Sequence, residues 1–467
     1  SAGEGNSGFY VRGGAPDQNL VLLDDAVVYN TGHLFGFFSV FNSDAIKSTT
    51  LIKGGMPANY GGRLSSVVDV SMKDGNAKEY HAEGGIGLIA SRLTLEGPIV
   101  KDKSSFMLSA RRTYIDLITK PFLKGETRGS GYYFYDLNLK ANYIIGRKDR
   151  IYLSGYFGRD VFKFNSSEGT FKANIPWGNA TGTIRWNHQF NDKLFVNTTL
   201  VYNDYKFEFK GSQNDFNVQF NSGIRDLNGK VDFDYYTSFN HHFKFGLNYT
   251  YHMFTPSQVS GSSGDIEFDP ENALKKYAHE AGLYLLDVFD PAPWLRVNAG
   301  IRYSYFGQVG PYTQYNIDDN GNRIDSTDFA SGRLVKSYGG LEPRLNLRFT
   351  LNPLTSIKAS VSRSYQYIHL VSNNGTTLPT DIWVPSTALV RPQEAWQYSL
   401  GVFRNFFDNA LETSIEVYYK DMQHQIEYRS GYTPTSFRDP ELDFVFGRGR
   451  AYGAEFFINK TKGKFSG

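Results

Sequence analysis

The chain has 467 residues, a net charge of +2 and no cysteine, which excludes disulfides and thiolate metal sites and gives no reason to expect a nucleic-acid partner. Aromatic residues make up 16% of the chain, yet its mean hydropathy is -0.41, which is unusual for a soluble protein with one core. A membrane barrel explains both values, because an apolar outer face, a polar lumen and aromatic girdles average to a polar composition. No run of about 18 apolar residues occurs, so we expect no membrane-spanning helix.

Residues 1–78 are predicted to form a small β domain in which short strands alternate with tight bends. The glycine pairs Gly54–Gly55 and Gly61–Gly62 permit backbone angles that residues with a Cβ rarely adopt. Next to them lie two β-prone runs, Thr49 to Ile52 and Ser66 to Met72, whose branched residues suit a pleated surface. This compact head is the first of two predicted domains.

Three stretches of the head form an ordered series of motifs: FYVRGG (Phe9 to Gly14), NLVLLDDAVVYNTGHLFG (Asn19 to Gly36) and FNSDAIKSTTLIKGGMPANYGGRLSSVVDV (Phe41 to Val70). This series resembles the plug of TonB-dependent outer-membrane receptors, and its phrasing is closest to that of Bacteroidetes-type members. A looser likeness continues from Glu96 to Leu117. The resemblance implies a plug that sits inside a transmembrane barrel.

The resemblance also implies a set of contacts between plug and barrel. Matching arginines of the family lie at this interface, so Arg12 and Arg63 are expected to pair with carboxylates of the lumen, although solvated surface arginines remain an alternative. Charge pairs in a wet lumen are individually weak, so such a plug could be remodelled under force. The predicted interface residues are Arg12, Gly13, Gly14, Asp24, Gly54, Gly55, Tyr60, Gly61, Gly62 and Arg63.

Candidate ligand contacts come from two places. In receptors of this family, outward plug loops help to build the ligand floor, and His33, Phe35 and Phe37 lie in a loop rich in rings and glycine. Packing in the plug core is an equal alternative for Phe37. Trp383 lies in a long predicted loop, where it could close over a ligand or simply pack the loop.

After the head, apolar and polar residues alternate with the period of two that is typical of strands. In one segment Ile301 and Tyr303 alternate with Arg302 and Ser304, so one face is apolar and the other is polar. Charged groups that face lipid destabilise a barrel, so these groups should line the lumen. We therefore predict an all-β membrane protein, a plugged transmembrane antiparallel β-barrel with its barrel domain at residues 79–467.

Connection lengths support this interpretation. Short connections, such as Gly146–Asp149 and Asn352–Thr355, alternate with long ones near residues 113–132, 208–219 and 367–393. Outer-membrane barrels combine tight periplasmic turns with long extracellular loops. About fifteen strands are predicted, whereas plugged transporters have about 22, so we expect a chain that lacks the start of the plug and the final strands.

The favoured function is that of a receptor in the outer membrane of a Gram-negative, Bacteroidetes-type bacterium. It would bind a scarce ligand outside and import it with energy from the inner membrane, through a TonB contact upstream of this chain. Besides outer-membrane lipid and TonB, a surface lipoprotein is a candidate partner. A scaffold in an outer-membrane complex and a passive porin are the alternatives.

The sequence carries no sign of an enzyme, a cofactor or a metal site. No Ser-His-Asp signature and no phosphate-binding loop is present, and apart from His241–His242 the histidines are scattered. The identity of the ligand is left open, because function lies in the site and many ligands share this scaffold.

Overall fold

The structure is a computed structural model that describes residues 9–123, 125, 129–166, 170–238, 240–264, 266–268, 275–317, 323–372, 381–431, 439–463 and 466–467. It consists of a small β domain, the head, and a large curved antiparallel sheet, the wall. Within these ranges no helix is both long and apolar enough to cross a bilayer.

The head contains a four-stranded sheet in the order β2-β1-β6-β5, in which β1 and β6 are parallel. Asp24 and Asp25 form the tight turn between β1 and β2, and both have positive φ, the geometry of a type I′ hairpin. The strands of the head are β1 (Asn19–Leu23), β2 (Ala26–Val27), β3 (Gly32–His33), β4 (Phe38–Ser39), β5 (Ile46–Ile52) and β6 (Ser66–Met72).

The wall is a continuous antiparallel array in which each long strand is hydrogen-bonded to the next long strand along the chain. Its long strands are β7 (His81–Ile86), β8 (Ala90–Val100), β9 (Ser104–Thr113), β10 (Gly131–Ile144), β11 (Asp149–Asn165), β12 (Phe171–Gln189), β13 (Leu194–Gln213), β14 (Phe216–Tyr236), β15 (His241–Ser263), β17 (Lys276–Ala292), β18 (Leu295–Val309), β21 (Leu334–Asn352), β22 (Thr355–Gln366), β25 (Gln393–Phe406), β26 (Leu411–Tyr428) and β27 (Phe444–Lys460). The pairing of β14 with β15 is typical of these long ladders and runs from Phe216 opposite Ser263 to Tyr236 opposite His242.

Short elements decorate the long-loop end of the wall. They are α1 (Ile115–Thr119), β16 (Ile266–Phe268), the hairpin of β19 (Tyr312–Ile317) and β20 (Arg323–Phe329), and the hairpin of β23 (Ile368–Val371) and β24 (Ile382–Pro385). The β23–β24 hairpin is almost entirely buried, because it folds inward over the head.

The two faces of the wall differ as the alternation predicts. On β10, Leu137 and Leu139 are 42% and 38% exposed, whereas Asp136, Asn138 and Lys140 are buried toward the head. The polar face is therefore covered by the head, and the apolar face is left on the outside. This is the arrangement of a barrel with a filled lumen.

Two details of the wall differ from the sequence prediction. The described residues contain sixteen long strands instead of about fifteen, because the first predicted strand is divided by a turn at residues 87–89, where Gly87 is the only typical turn residue. The predicted long loop at 208–219 is mostly strand, since β13 ends only at Gln213 and β14 begins at Phe216. The strands continue past the apolar band because backbone pairing, unlike side-chain hydrophobicity, does not end there.

Candidate functional site

A charged cluster joins the start of the head to the last two wall strands. Arg12 donates to Glu455 at 3.2 and 2.8 Å and to Glu416 at 3.2 Å, and Lys53 lies 2.8 Å from Glu455. Burial alone would lower the pKa of the Arg12 guanidinium, but the hydrogen bonds and charges of Glu455 and Glu416 hold that pKa above its usual value. The Arg12 side chain is fully buried, so this cluster fixes the position of the first turn of the head.

The glycine bends of the head bring its backbone against the wall. A Cβ on Gly55 would overlap the side-chain oxygen of Asn346, and a Cβ on Gly61 would overlap the guanidinium of Arg302. Gly55 and Gly62 also have positive φ, at +61° and +77°. Gly55 combines the close approach with the positive φ, so a side chain there is disfavoured twice, and both bends act as contact points between head and wall.

Between the two bends, a wall arginine reaches into the head. Arg344 Nη1 donates to the carbonyl oxygens of Pro57 at 2.7 Å and Tyr60 at 2.6 Å, while its Nη2 donates to Glu342 at 2.6 Å. The sequence placed Arg344 on the polar face of its strand but did not single it out as a site residue. A charged residue on the lumen face, opposite a glycine-rich bend, is the signal that would have identified it.

The remaining predicted interface residues divide into two groups. Gly13 packs on the wall, since a Cβ there would lie 2.5 Å from the Cβ of Ala451. Gly14 instead packs within the head, where a Cβ would overlap Ser65. The hydroxyl of Tyr60 also stays within the head, where it donates a hydrogen bond to Asp69 at 2.8 Å. The contact of Tyr60 with the wall is made by its carbonyl oxygen.

The turn at the end of β1 carries a second charged cluster. Asp24 lies 3.1 Å from Lys140 of β10. Asp25 lies 3.4 Å from Lys230 and pairs with Arg185, two wall residues that the sequence did not single out. Burial would raise the pKa of Asp25, but Lys230 and Arg185 lower it to about 2.

His33 lies against the wall and not on an open floor. Its Nδ1 is 2.7 Å from Asp160, its Nε2 is 3.4 Å from Asp136, and its ring stacks on Phe134 with centroids 4.0 Å apart. Asp160 also accepts a hydrogen bond from Tyr132. Burial alone would lower the pKa of His33, but hydrogen bonds to Asp136 and Asp160 raise it above the ordinary value of 6.5.

The anchoring of the His33 loop should therefore depend on pH. A raised folded-state pKa contributes stability that is fully present below about pH 6.5 and is lost as the pH rises through the folded-state value. Phe37 in the same loop is 81% exposed, and the chain has no cysteine, so a fluorophore on F37C reports on the loop. We expect its anisotropy to fall on alkalinisation, and to be low and independent of pH in H33Q. An identical pH profile in both proteins would contradict this assignment.

Arg63 and Trp383 are brought together above the head. The Arg63 guanidinium lies 5.6 Å from the centroid of the Trp383 ring, and the same ring packs edge-on against Tyr29 at 4.9 Å. Trp383 is only 4% exposed in the β23–β24 hairpin. The main chain of Leu370 and the side chain of Gln366 both donate to Asp17, at 3.2 and 2.7 Å. This hairpin is therefore joined directly to the head.

The other predicted ligand contacts lie in the loop between β3 and β4. Phe37 is largely exposed, whereas Phe38 packs against Phe134 of the wall with centroids 5.5 Å apart. Phe35 belongs to the short turn Leu34–Gly36, and its side chain lies outside the described part of the structure.

Inward-facing rings form a buried cluster directly above the head, which we call the vestibule. They come from five wall strands, from Tyr367 just after β22 and from the β23–β24 hairpin, and Tyr29, Leu34 and Phe38 of the head pack against them. The sequence did not identify this set, because it is assembled from strands that are distant in the chain. The vestibule rings are Tyr132, Phe134, Trp177, Tyr205, Phe207, Phe254, Phe306, Tyr367 and Trp383.

The fold and this interface define a class of protein, the β-barrel whose lumen is filled by an N-terminal plug. Residues 1–68 match the family described as TonB-dependent Receptor Plug Domain, and residues 115–465 match the one described as TonB dependent receptor-like, beta-barrel. The chain belongs to the TonB-dependent receptors, outer-membrane proteins of Gram-negative bacteria for which membership implies an interaction with TonB. A search of curated proteins finds no significant match.

Solved structures with this fold include three transporters and receptors. The copper transporter OprC superimposes with a TM-score of 0.69 at 12% identity, covering 97% of this chain and 70% of its own. The alcaligin outer-membrane receptor FauA from Bordetella pertussis gives 0.60 at 13%, with coverage of 97% and 70%. The ferric-catecholate import receptor Fiu from E. coli K12 gives 0.64 at 14%, with coverage of 99% and 73%. At these identities the likeness establishes the fold alone.

Proposed function

We propose that this protein binds a scarce small ligand at its extracellular face and imports it through the plugged barrel, with energy delivered by TonB. The observation that carries the proposal is the way in which the head fills the wall. Beside some apolar packing, its contacts include ion pairs and backbone hydrogen bonds to wall side chains, such as those of Arg12 and Arg344. Water can replace polar contacts of this kind. A pull on the head can therefore open a hydrated path, whereas tightly packed apolar side chains would resist such an opening.

The ligand is proposed to enter the vestibule from above. Phe37 offers an exposed ring on the head, and Trp383 offers a ring on the inward hairpin. Apolar surfaces with a few convergent polar groups are typical of small-molecule sites. We propose Phe37 and Trp383 as ligand contacts and His33 as the residue that holds their loop against the wall. The solved structures with this fold include a copper transporter, an alcaligin receptor and a ferric-catecholate import receptor, so metal chelates are the first ligands to test.

The decisive experiment compares cells with and without TonB. Radioactive iron on a catecholate or a hydroxamate carrier, radiolabelled cobalamin and a fluorescent oligosaccharide are offered in turn. We expect one probe to accumulate only in cells that have TonB, while its binding to the purified protein is the same from either strain. Accumulation that is equal without TonB would refute energised import.

The motif phrasing of the head further supports a Bacteroidetes-type source, and a surface lipoprotein remains a predicted partner. Stoichiometric copurification of such a lipoprotein from native membranes would support the second point. Purification of the receptor alone under conditions that preserve envelope complexes would count against it.

A further inference from the structure

An open cleft of about 570 Å³ lies on strands β11 to β15, at the long-loop end of the wall. Most of its lining side chains are polar, and three of them are lysines, whereas none of the described lining residues is acidic. We call it the lysine cleft. Its polar lining residues are Lys163, Asn165, Lys172, Asn174, Lys210, Ser212, Asn217, Gln219, Ser260 and Ser262.

The strand register arranges these ten residues as a grid. One row crosses the five strands as Lys163, Asn174, Lys210, Gln219 and Ser260, each residue being the ladder partner of the next.

The second row lies two residues away on each strand and therefore on the same face. It runs as Asn165, Lys172, Ser212, Asn217 and Ser262. Successive strands are about 4.8 Å apart, so each row extends over roughly 20 Å. The grid is large enough for several sugar rings.

The lysine cleft faces away from the lumen. Side chains alternate between the two faces of a strand, so residues separated by an odd number of positions lie on opposite faces. Asp160, Trp177 and Phe207 are buried toward the head, at 1%, 2% and 1% exposure. Each is an odd number of positions from the lysine on its strand, which is Lys163, Lys172 or Lys210, respectively. All three lysines are therefore on the outer face, and all three are exposed.

The outward side chains of β11 also show where the cleft lies relative to the hydrocarbon layer of the membrane. A tilted strand crosses the hydrocarbon layer in about 9–11 residues. On β11 the outward apolar series begins at Ile151 and ends before Arg159, the first outward charge, and Lys163 lies two outward positions beyond Arg159. Tyr133, the ladder partner of Val161, lies on the same outer face as Leu137 and has the position of an interfacial aromatic residue. The cleft thus begins where the hydrocarbon layer ends.

We propose that the lysine cleft binds the phosphorylated sugar head of a lipopolysaccharide molecule in the outer leaflet. Lysine ammonium groups bind phosphate as point charges, and the amides and hydroxyls of the grid match sugar hydroxyls. Lys210 also lies 3.3 Å from Glu208, an exposed pair that a phosphate can replace. This glycolipid site does not involve the imported ligand, so the proposal does not depend on whether import is energised.

The test uses the purified full chain in detergent, with rough lipopolysaccharide phosphorylated on lipid A and the inner core. The same material stripped of phosphate by acid is the second probe, and bound glycolipid is counted by native mass spectrometry. We expect the triple variant K163Q/K172Q/K210Q to bind the phosphorylated probe roughly a hundredfold more weakly, from about a fivefold contribution per lysine. The wild-type protein should also prefer the phosphorylated probe and release it as salt is raised.

A matched control removes three exposed lysines from the short-turn end of the wall, K101Q/K103Q/K193Q, and should bind like the wild-type protein. Heat modifiability on gels verifies that both triple variants are folded. Equal binding of the phosphorylated and stripped probes, or a loss that is the same in both triple variants, would overturn the proposal. Neither outcome depends on an uptake assay, so failed import and failed glycolipid binding are separate results.

Discussion

Replacing Gly75 by valine is expected to prevent the head from docking against the wall. A Cβ at this position would overlap the carbonyl oxygen of Phe106 and lie 2.6 Å from its carbonyl carbon. Those atoms belong to the backbone of β9, which is held in its ladder and cannot move aside. Gly75 also has φ at +80°, a strained conformation for valine. We expect a cost of about 2–5 kcal/mol from strain and overlap together, measured as the urea concentration at which the head becomes sensitive to protease.

Gly332 provides the control for this experiment. Its φ is +75°, but nothing lies within 4 Å of a Cβ built on it. G332V therefore introduces the same backbone strain without the overlap, and we expect a cost of about 1–2 kcal/mol that leaves the head protected. Equal protease sensitivity of G75V and G332V would show that the close approach of Gly75 to β9 is not what holds the head.

Replacing Arg12 by methionine is expected to loosen a second contact between the head and the wall. The change leaves Glu416 and Glu455 with Lys53 as their only neighbouring cation of this cluster. Removing one partner of a fully buried pair costs about 3–5 kcal/mol, and we expect about 2 kcal/mol because these carboxylates are partly wet. The measurement is the same protease assay in urea.

Two further variants separate charge from packing at this cluster. R12K keeps the charge but loses the forked hydrogen bonds, so it should fall between R12M and the wild-type protein. R12M/E455Q removes one of the two carboxylates that would otherwise share Lys53 and should recover part of the stability lost in R12M. If R12M protects the head as well as the wild-type protein does, the Arg12 cluster does not anchor it.

The sequence was most informative where a pattern is local. Alternation predicted the strands and assigned their faces, because side-chain direction in a strand depends only on position along it. The glycine pairs predicted tight bends, and Gly55 and Gly62 do have positive φ. The turn at residues 87–89 was missed, since Gly87 is its only typical turn residue and apolar residues follow it.

Local sequence patterns could not predict contacts between residues that are distant in the chain. His33 could be recognised as a residue of a ring-rich loop, but its partners Asp136 and Asp160 lie on strands about a hundred residues away. The vestibule rings and the lysine cleft share this property, since both are assembled across strands by register. Periodicity assigns a face to each residue, whereas only the ladder tells which residues are neighbours.

A disulfide between head and wall tests the central claim, that the head lies inside the wall, most directly. A Cβ on Gly54 would lie 3.3 Å from the Oγ of Ser399 in β25, which is suitable for a disulfide, and 2.4 Å from Nη1 of Arg12, the flexible end of a side chain that has to turn aside; the chain has no other cysteine. Leu400, the next residue, is 51% exposed on the outer face and serves as the control. We expect G54C/S399C to form the cross-link on oxidation in intact outer membranes, seen as a shift in gel mobility, and G54C/L400C to form none. A cross-link in the control pair, or in neither pair, would contradict a head seated within the wall.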